Sequence, residues 1–188
     1  NETTEEAFNL LENLLRWTRN QNGKTKIYAT LFNLTPVARQ VVSLFSAIAN
    51  AKEIELINRI EGKFDIFADE DMIKTVLRNL ISNAIKFTYT GGQVELSLAD
   101  SGDYWTIYVK DNGKGIPKDL QAHLLKSDEY ITTYGTHNEK GSGLGLILCR
   151  DFIRMNKGKL HFYSQEGIGT TFYFTIPKAS SSAEAVSR

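Results

Sequence analysis

Two hydrophobic periods run through the chain, and each identifies an element: apolar residues three and four apart mark a helix face, and apolar residues two apart mark one face of a strand. Residues 4–21 (TEEAFNLLENLLRWTRNQ) put Phe8, Leu11, Leu15 and Thr18 on one stripe and Leu10, Leu14 and Trp17 on its neighbour. Glu5 and Glu6 suit the positive N-terminus of such a helix, and Asn22-Gly23 ends it. A stripe this wide predicts a helix of bundle type, packed on its own domain or against a second copy. Beyond it the pattern predicts a strand near 27–33, a helix from about Pro36 to Ala51, strands near 54–60 and 64–68, and a long helix from about Asp69 to Thr88. A hairpin follows, with strands near 93–99 and 104–110 around Asp100-Ser101-Gly102-Asp103. A glycine-rich stretch of mixed character fills 111–143, then come a helix from about Leu144 to Asn156 and strands near 159–164 and 169–176, closing at Pro177. The tail from Lys178, rich in serine and without an aromatic, is expected to be disordered. No internal repeat is present.

Composition narrows the function classes. A length of 188 residues fits one domain of about 150 plus a remainder, and 41% apolar residues supply its core. Lysine plus arginine balances aspartate plus glutamate at 22 each, so no basic excess exists to attract nucleic acid or anionic lipid. Cys149 is the single cysteine, and no apolar run reaches the roughly 18 residues of a membrane span. The expected setting is reducing and cytoplasmic, with no membrane contact by this chain. Because the sequence starts without methionine inside a helical pattern, it is expected to be a piece of a longer protein.

Several glycine-bearing sites invite a phosphate reading. Gly23-Lys24-Thr25 has Thr18 where a P-loop needs its first glycine, and Lys140-Gly141-Ser142 has the order wrong. Gly141-Ser142-Gly143-Leu144-Gly145-Leu146 brings its third glycine one position too early for a dinucleotide fingerprint, and no strand immediately precedes it. The long helix is more informative. Asn79, Asn83 and Lys86 fall within about 60° of one another, opposite Val76, Leu77, Leu80, Ile81 and Ala84. Asparagine is a poor helix former, so the pair suggests carbonyl oxygens for a hard cation beside an ammonium for a phosphate, in competition with an ordinary solvated face. Asp111-Asn112-Gly113-Lys114-Gly115 could carry a carboxylate into a cleft or be a simple turn. The glycines at 141–145 before an apolar helix could form an anion site or a flexible linker.

Together, in this order, these segments resemble the ATP-binding domain of sensor histidine kinases, within the GHKL ATPase superfamily. Leu77 to Thr88 (LRNLISNAIKFT) resembles the family's N box, Asp111 to Gly115 its G1 box, Gly141 to Leu146 its G2 box, and Gly169-Thr170-Thr171-Phe172 its closing strand. The resemblance covers about 27–177 and implies a two-layer α/β sandwich of Bergerat type, a mixed sheet with helices on one face, preceded by one amphipathic helix. It divides the chain into a partial dimerisation and phosphotransfer hairpin (1–22), a catalytic domain (23–178) and a tail (179–188). It implies ATP and Mg²⁺ as ligands. Asn83 would coordinate the metal with Asn79 beside it, Lys86 would neutralise phosphate charge, and Asp111 would accept from the adenine amino group. Gly113 and Gly115 would let backbone and base approach, Phe87, Ile116 and Leu146 would wall the base unless they are ordinary core, and Thr171 would reach the adenine edge. Residues from about Asp119 to Gly143 would form a mobile lid in which Lys140 and the amides of Gly141, Gly143, Leu144 and Gly145 meet the phosphates.

Two departures stand out. The family's lid usually carries two phenylalanines, whereas Leu124 to Tyr130 offers leucines and one tyrosine. The acceptor histidine belongs on a helix upstream of residues 4–21, and His123, His137 and His161 lack such surroundings and read as structural or solvent-facing. The implied function is transfer of the ATP γ-phosphoryl to a histidine outside this sequence, for relay to a response-regulator aspartate. The implied partners are the phosphotransfer hairpin, a receiver domain and a second copy of the full-length protein. The alternatives are a GHKL ATPase of chaperone or mismatch-repair kind, which needs a glutamate where Asn79 stands, and a degenerate scaffold.

Overall fold

The structure, a computed structural model, describes residues 26–124, 135–137 and 144–179. The helix expected over 4–21, the tail beyond residue 179 and much of the expected lid lie outside the described residues. The chain order is β1 (Thr30–Asn33), α1 (Leu34–Ala51), β2 (Glu55–Asn58), β3 (Asp65–Ala68), α2 (Glu70–Phe87), β4 (Gln93–Ser101), β5 (Tyr104–Asp111), α3 (Lys118–Gln121), α4 (Gly145–Met155), β6 (Leu160–Gln165) and β7 (Gly169–Pro177). These bounds agree with the expected elements to within a few residues. The short helix α3 was not expected, and it lies where the lid was drawn.

Both long helices begin on side-chain caps. The Asn33 Oδ1 atom accepts from the Thr35 amide at 3.2 Å and from the Phe64 amide at 3.1 Å. Asp69 does more for α2. Its Oδ1 accepts from the Met72 amide at 3.1 Å and its Oδ2 from the Tyr28 amide at 2.9 Å, while its own amide donates to Asn156 Oδ1 at 2.7 Å. The start of α2 is thus fixed to the entering chain and to the end of α4.

Strands β2-β4-β5-β7-β6 form a mixed sheet in which only β2 and β4 run parallel, and β1 pairs antiparallel with β3 in a separate two-stranded sheet. Alternation sorts the large sheet. Val94, Leu96, Ile107, Val109, Leu160, Phe172, Phe174 and Ile176 are buried under α1, α2 and α4, which contribute Leu34, Ile73, Leu77, Leu80, Ile81, Leu148 and Phe152 to the same core. The other face carries Tyr108, Tyr173, His161 and Tyr163, with the Tyr108 and His161 rings stacked on Tyr173 at 5.5 and 5.3 Å. This is the expected two-layer arrangement with helices on one face.

The hairpin turn also matches, with Gly102 at φ +74° and its amide on Asp100 Oδ1 at 2.9 Å. Lys178 corrects the expected start of the tail. Its amide donates to the Asp103 carbonyl at 2.9 Å, its ammonium lies 2.6 Å from Asp100 Oδ1 and 4.3 Å from the Trp105 ring centroid, and it bridges to Ile66. Among the described residues no helix is long and apolar enough to cross a membrane.

Candidate functional site

The polar stripe of α2 is half-buried, so it is not the fully solvated face that competed with the site reading. Asn79 Nδ2 donates to the Thr75 carbonyl at 2.9 Å, while its Oδ1 faces the first residue of α4: a Cβ on Gly145 would lie 2.8 Å from that oxygen. Gly145 therefore lets the start of α4 close onto Asn79. One turn further on, the Asn83 amide makes no hydrogen bond to any described residue. A half-buried amide oxygen left available in this way fits a hard cation such as Mg²⁺. Lys86 and Phe87 follow, with the Lys86 ammonium 5.3 Å from the Phe87 ring centroid and that of Lys114 at 5.1 Å. Lys114 went unremarked in the sequence, where it reads as one more lysine of a turn.

Asp111 ends β5 as a buried carboxylate, 7% exposed. Its Oδ1 accepts from the amides of Gly113 at 2.9 Å and Thr170 at 3.2 Å, and its Oδ2 has no donor among the described residues. Burial pushes its pKa up to about 6 against the lowering effect of those two amides. The following loop is pinned by close backbone approaches. A Cβ on Gly113 would fall 2.1 Å from the Phe87 carbonyl oxygen, and one on Gly115, at φ +68°, 2.1 Å from that of Gln165. The Lys114 amide donates to the same Phe87 carbonyl at 3.0 Å, which fixes the loop to the end of α2.

The register corrects the expectation for Thr171. Thr171 pairs with Lys110 and Tyr163, whereas Thr170 pairs with Asp111 on one side and Ser164 on the other. Side chains alternate across a strand, so Thr170 shares the face of Asp111 and Thr171 takes the opposite one. Asp111, Thr170 and Ser164 form one polar rung across three strands, beside the apolar rung Val109, Phe172 and Phe162. The signal was in the sequence: Phe172, Phe174 and Ile176 are the inward residues of β7, and counting back by twos reaches Thr170.

The C-terminus of α2 is a second feature that sequence reasoning missed. Its last carbonyls would lack partners in an isolated helix. Here Lys52 Nζ donates to the Ile85 and Lys86 carbonyls at 2.9 Å each, and Thr88 Oγ1 to that of Ala84 at 2.6 Å. The Thr136 amide adds a bond to Lys86 O at 3.0 Å, and Thr136 Oγ1 one to Thr88 O at 2.8 Å. Segments far apart in sequence thus converge on the last turn of the helix that carries Asn83.

Leu144 is buried at the start of α4, and Leu146 and Ile116 pack against the core, so both also serve as core residues. Leu124 packs there too. Lys140, Gly141 and Gly143 lie outside the described residues. His137 is exposed with Nε2 3.2 Å from Thr90 Oγ1, His161 is exposed on Tyr173, and His123 is half-buried just past α3. Cys149 is fully buried in α4, and burial pushes its thiol well above its ordinary value.

A family profile described as "Histidine kinase-, DNA gyrase B-, and HSP90-like ATPase" matches residues 68–180, a span containing α2, the Asp111 loop, α4 and both closing strands. The chain belongs to this family. Relatives and solved structures similar to this chain include proteins named as sensory or histidine kinases. The adaptive-response sensory kinase SasA of Crocosphaera subtropica is 30% identical over 170 residues, covering 89% of this chain and 44% of that kinase. The catalytic domain of histidine kinase ThkA superposes with a TM-score of 0.69 at 31% identity, over 80% of this chain and 96% of that one. Full-length ShkA in complex with AMPPNP gives a TM-score of 0.77 at 26% identity, over 95% and 37%. The chain thus spans less than half the length of the SasA kinase it matches and carries the ATP-binding catalytic domain of the histidine-kinase kind.

Proposed function

We propose that this histidine-kinase ATPase domain binds Mg-ATP between α2, the Asp111 loop and the start of α4, and that it presents the γ-phosphoryl to a histidine on a separate helical hairpin. The observation that carries the reading is Asp111, a buried carboxylate with one oxygen tied to two amides and the other without a donor among the described residues. An exocyclic amino group is such a donor, and the carbonyl of guanine at the corresponding position is not. Asn83 would hold the metal, which when bound supplies charge neutralisation at the phosphates. Lys86, and Lys140 from the lid, would meet the phosphate oxygens, and the domain contributes orientation and electrostatics to the transfer.

In the transfer the terminal P–O bond of ATP breaks, a P–N bond to the imidazole forms and ADP leaves. Relay to a response-regulator aspartate and dimerisation of the full-length protein belong to the same reading, supported by the sensory kinases among the relatives. The dependence on ATP supports a cytoplasmic setting. The ATPase alternative loses support at Asn79, whose amide is engaged with Thr75 and packed on Gly145 where that class needs a basic glutamate.

Radiolabelled ATP tests the proposal. None of the three histidines stands on a described helix presented to the site, so the chain alone is expected to remain unlabelled. A separately supplied hairpin bearing the family's histidine is expected to become labelled slowly, because association costs translational entropy. Acid-labile label on the isolated chain would show that the acceptor is misplaced, and no label on the hairpin at high concentration would favour a degenerate scaffold.

A further inference from the structure

We propose that Ser164 is a positioning residue for base selection: its oxygen accepts the hydrogen bond of the Thr170 hydroxyl and leaves that hydroxyl only as an acceptor beside Asp111. The inference rests on the reading that the base sits at Asp111 and adds a specificity element to it. Ser164 is the third position of β6 on the helix-covered face, after Leu160 and Phe162, where alternation calls for an apolar residue. A hydroxyl placed there costs stability unless its hydrogen bonds are made.

It makes three contacts. The Ile116 amide donates to Ser164 Oγ at 2.9 Å, the Gly169 carbonyl lies 3.1 Å away, and Thr170 Oγ1 lies at 2.8 Å. A serine hydroxyl has one hydrogen and two accepting lone pairs. The Ile116 amide can only donate, so it occupies one lone pair. The Gly169 carbonyl can only accept, so it takes the hydrogen. The remaining lone pair is satisfied only if the Thr170 hydroxyl donates into it. The Thr170 hydrogen is then spent within the sheet, and the oxygen of this residue, 7% exposed, offers lone pairs alone.

With the Asp111 carboxylate in the same rung, the site presents acceptors only. Such a rung favours a base edge that donates and disfavours one bearing a carbonyl. Without the Ser164 hydroxyl, the Thr170 hydrogen becomes free to turn outward and donate to a carbonyl, so discrimination relaxes. Gln121 supports the arrangement, with Nε2 donating to the carbonyls of Ile116 at 2.6 Å and Ser164 at 3.2 Å.

The test is calorimetric titration with Mg-ATP and Mg-ITP, whose base carries a carbonyl in place of the amino group. It uses the wild type, Ser164→Ala, Thr170→Val and the double variant. The wild type should prefer ATP; absence of that preference would overturn the nucleotide reading itself and leave nothing for Ser164 to modulate. Ser164→Ala should reduce the ATP/ITP affinity ratio about fivefold, the worth of one ordinary hydrogen bond. That reduction should vanish in the Thr170→Val background, and Ser164→Thr should keep the wild-type ratio. A ratio unchanged by Ser164→Ala in a wild type that prefers ATP, or an equal change with Thr170 already replaced, would overturn the proposal. If Ser164→Ala does not fold, Ser164→Cys carries the same expectation, because a thiol accepts weakly.

Discussion

At the scale of single residues, Asp111 shows function set against stability. Its carboxyl titrates at about 6 in the folded chain against 3.8 ordinarily, because burial outweighs the two amides that favour the charged form. The native state therefore binds this proton more tightly than the unfolded state, and the group's contribution to stability falls as pH rises from about 4 to 6 and then stays level. Asp111→Asn keeps an oxygen for the Gly113 and Thr170 amides and removes the buried charge. In urea melts it is expected to stabilise the ligand-free chain at pH 8 by on the order of 2 kcal/mol and to change it little at pH 4. A loss of stability at pH 8 would show that the amides outweigh desolvation. ATP binding should move the other way, weakening in the wild type as pH falls through about 6, with a shallower slope in the variant.

The residues legible in the sequence were those whose type is itself unusual in place: two asparagines a turn apart on a helix, and a carboxylate between a strand and two glycines. Thr170 and Ser164 escaped for another reason. Their role depends on which face of a strand they occupy, and an error of one position exchanges the faces.

At the scale of elements, the helices and strands were legible because their periods are clean. The last turn of α2 was not, because its satisfaction depends on groups distant in sequence. Lys52 reads as a solvated lysine at the end of α1, yet it is 7% exposed and donates to carbonyls 33 and 34 positions away. The separate pairing of β1 with β3 was illegible for the same reason, since strand partners are chosen by tertiary contacts. Lys52→Met keeps the aliphatic stem and removes the donor. It is expected to destabilise the fold by about 2 kcal/mol, because hydrogen bonds from a charged donor are lost at buried carbonyls. A urea midpoint unchanged from wild type would show that solvent replaces this lysine without cost.

At the scale of the molecule, the apolar layers of sheet and helices stop at one edge. The polar rung of Asp111, Thr170 and Ser164, the Asn83 amide and the start of α4 all belong to that edge or to the helices packed against it. The core fixes these groups, the rung is hydrogen-bonded within the sheet, and Asp111 Oδ2 and the Asn83 side-chain amide are left without a partner among the described residues. The segments that carry them stand out in the sequence by their glycines and asparagines. The helix expected over 4–21 and the glycines at 141 and 143 fall outside the described residues.

The central claim is that this edge holds Mg-ATP through Asn83 and Asp111, and the most direct test is titration of ATP, GTP and adenosine with and without Mg²⁺ on the wild type and Asn83→Ala. The wild type should bind ATP in preference to GTP and more tightly with Mg²⁺, and the variant should lose most of the Mg²⁺ dependence while its adenosine affinity stays nearly unchanged. Equal ATP and GTP affinities in the wild type, or an undiminished Mg²⁺ effect in Asn83→Ala, would contradict the account.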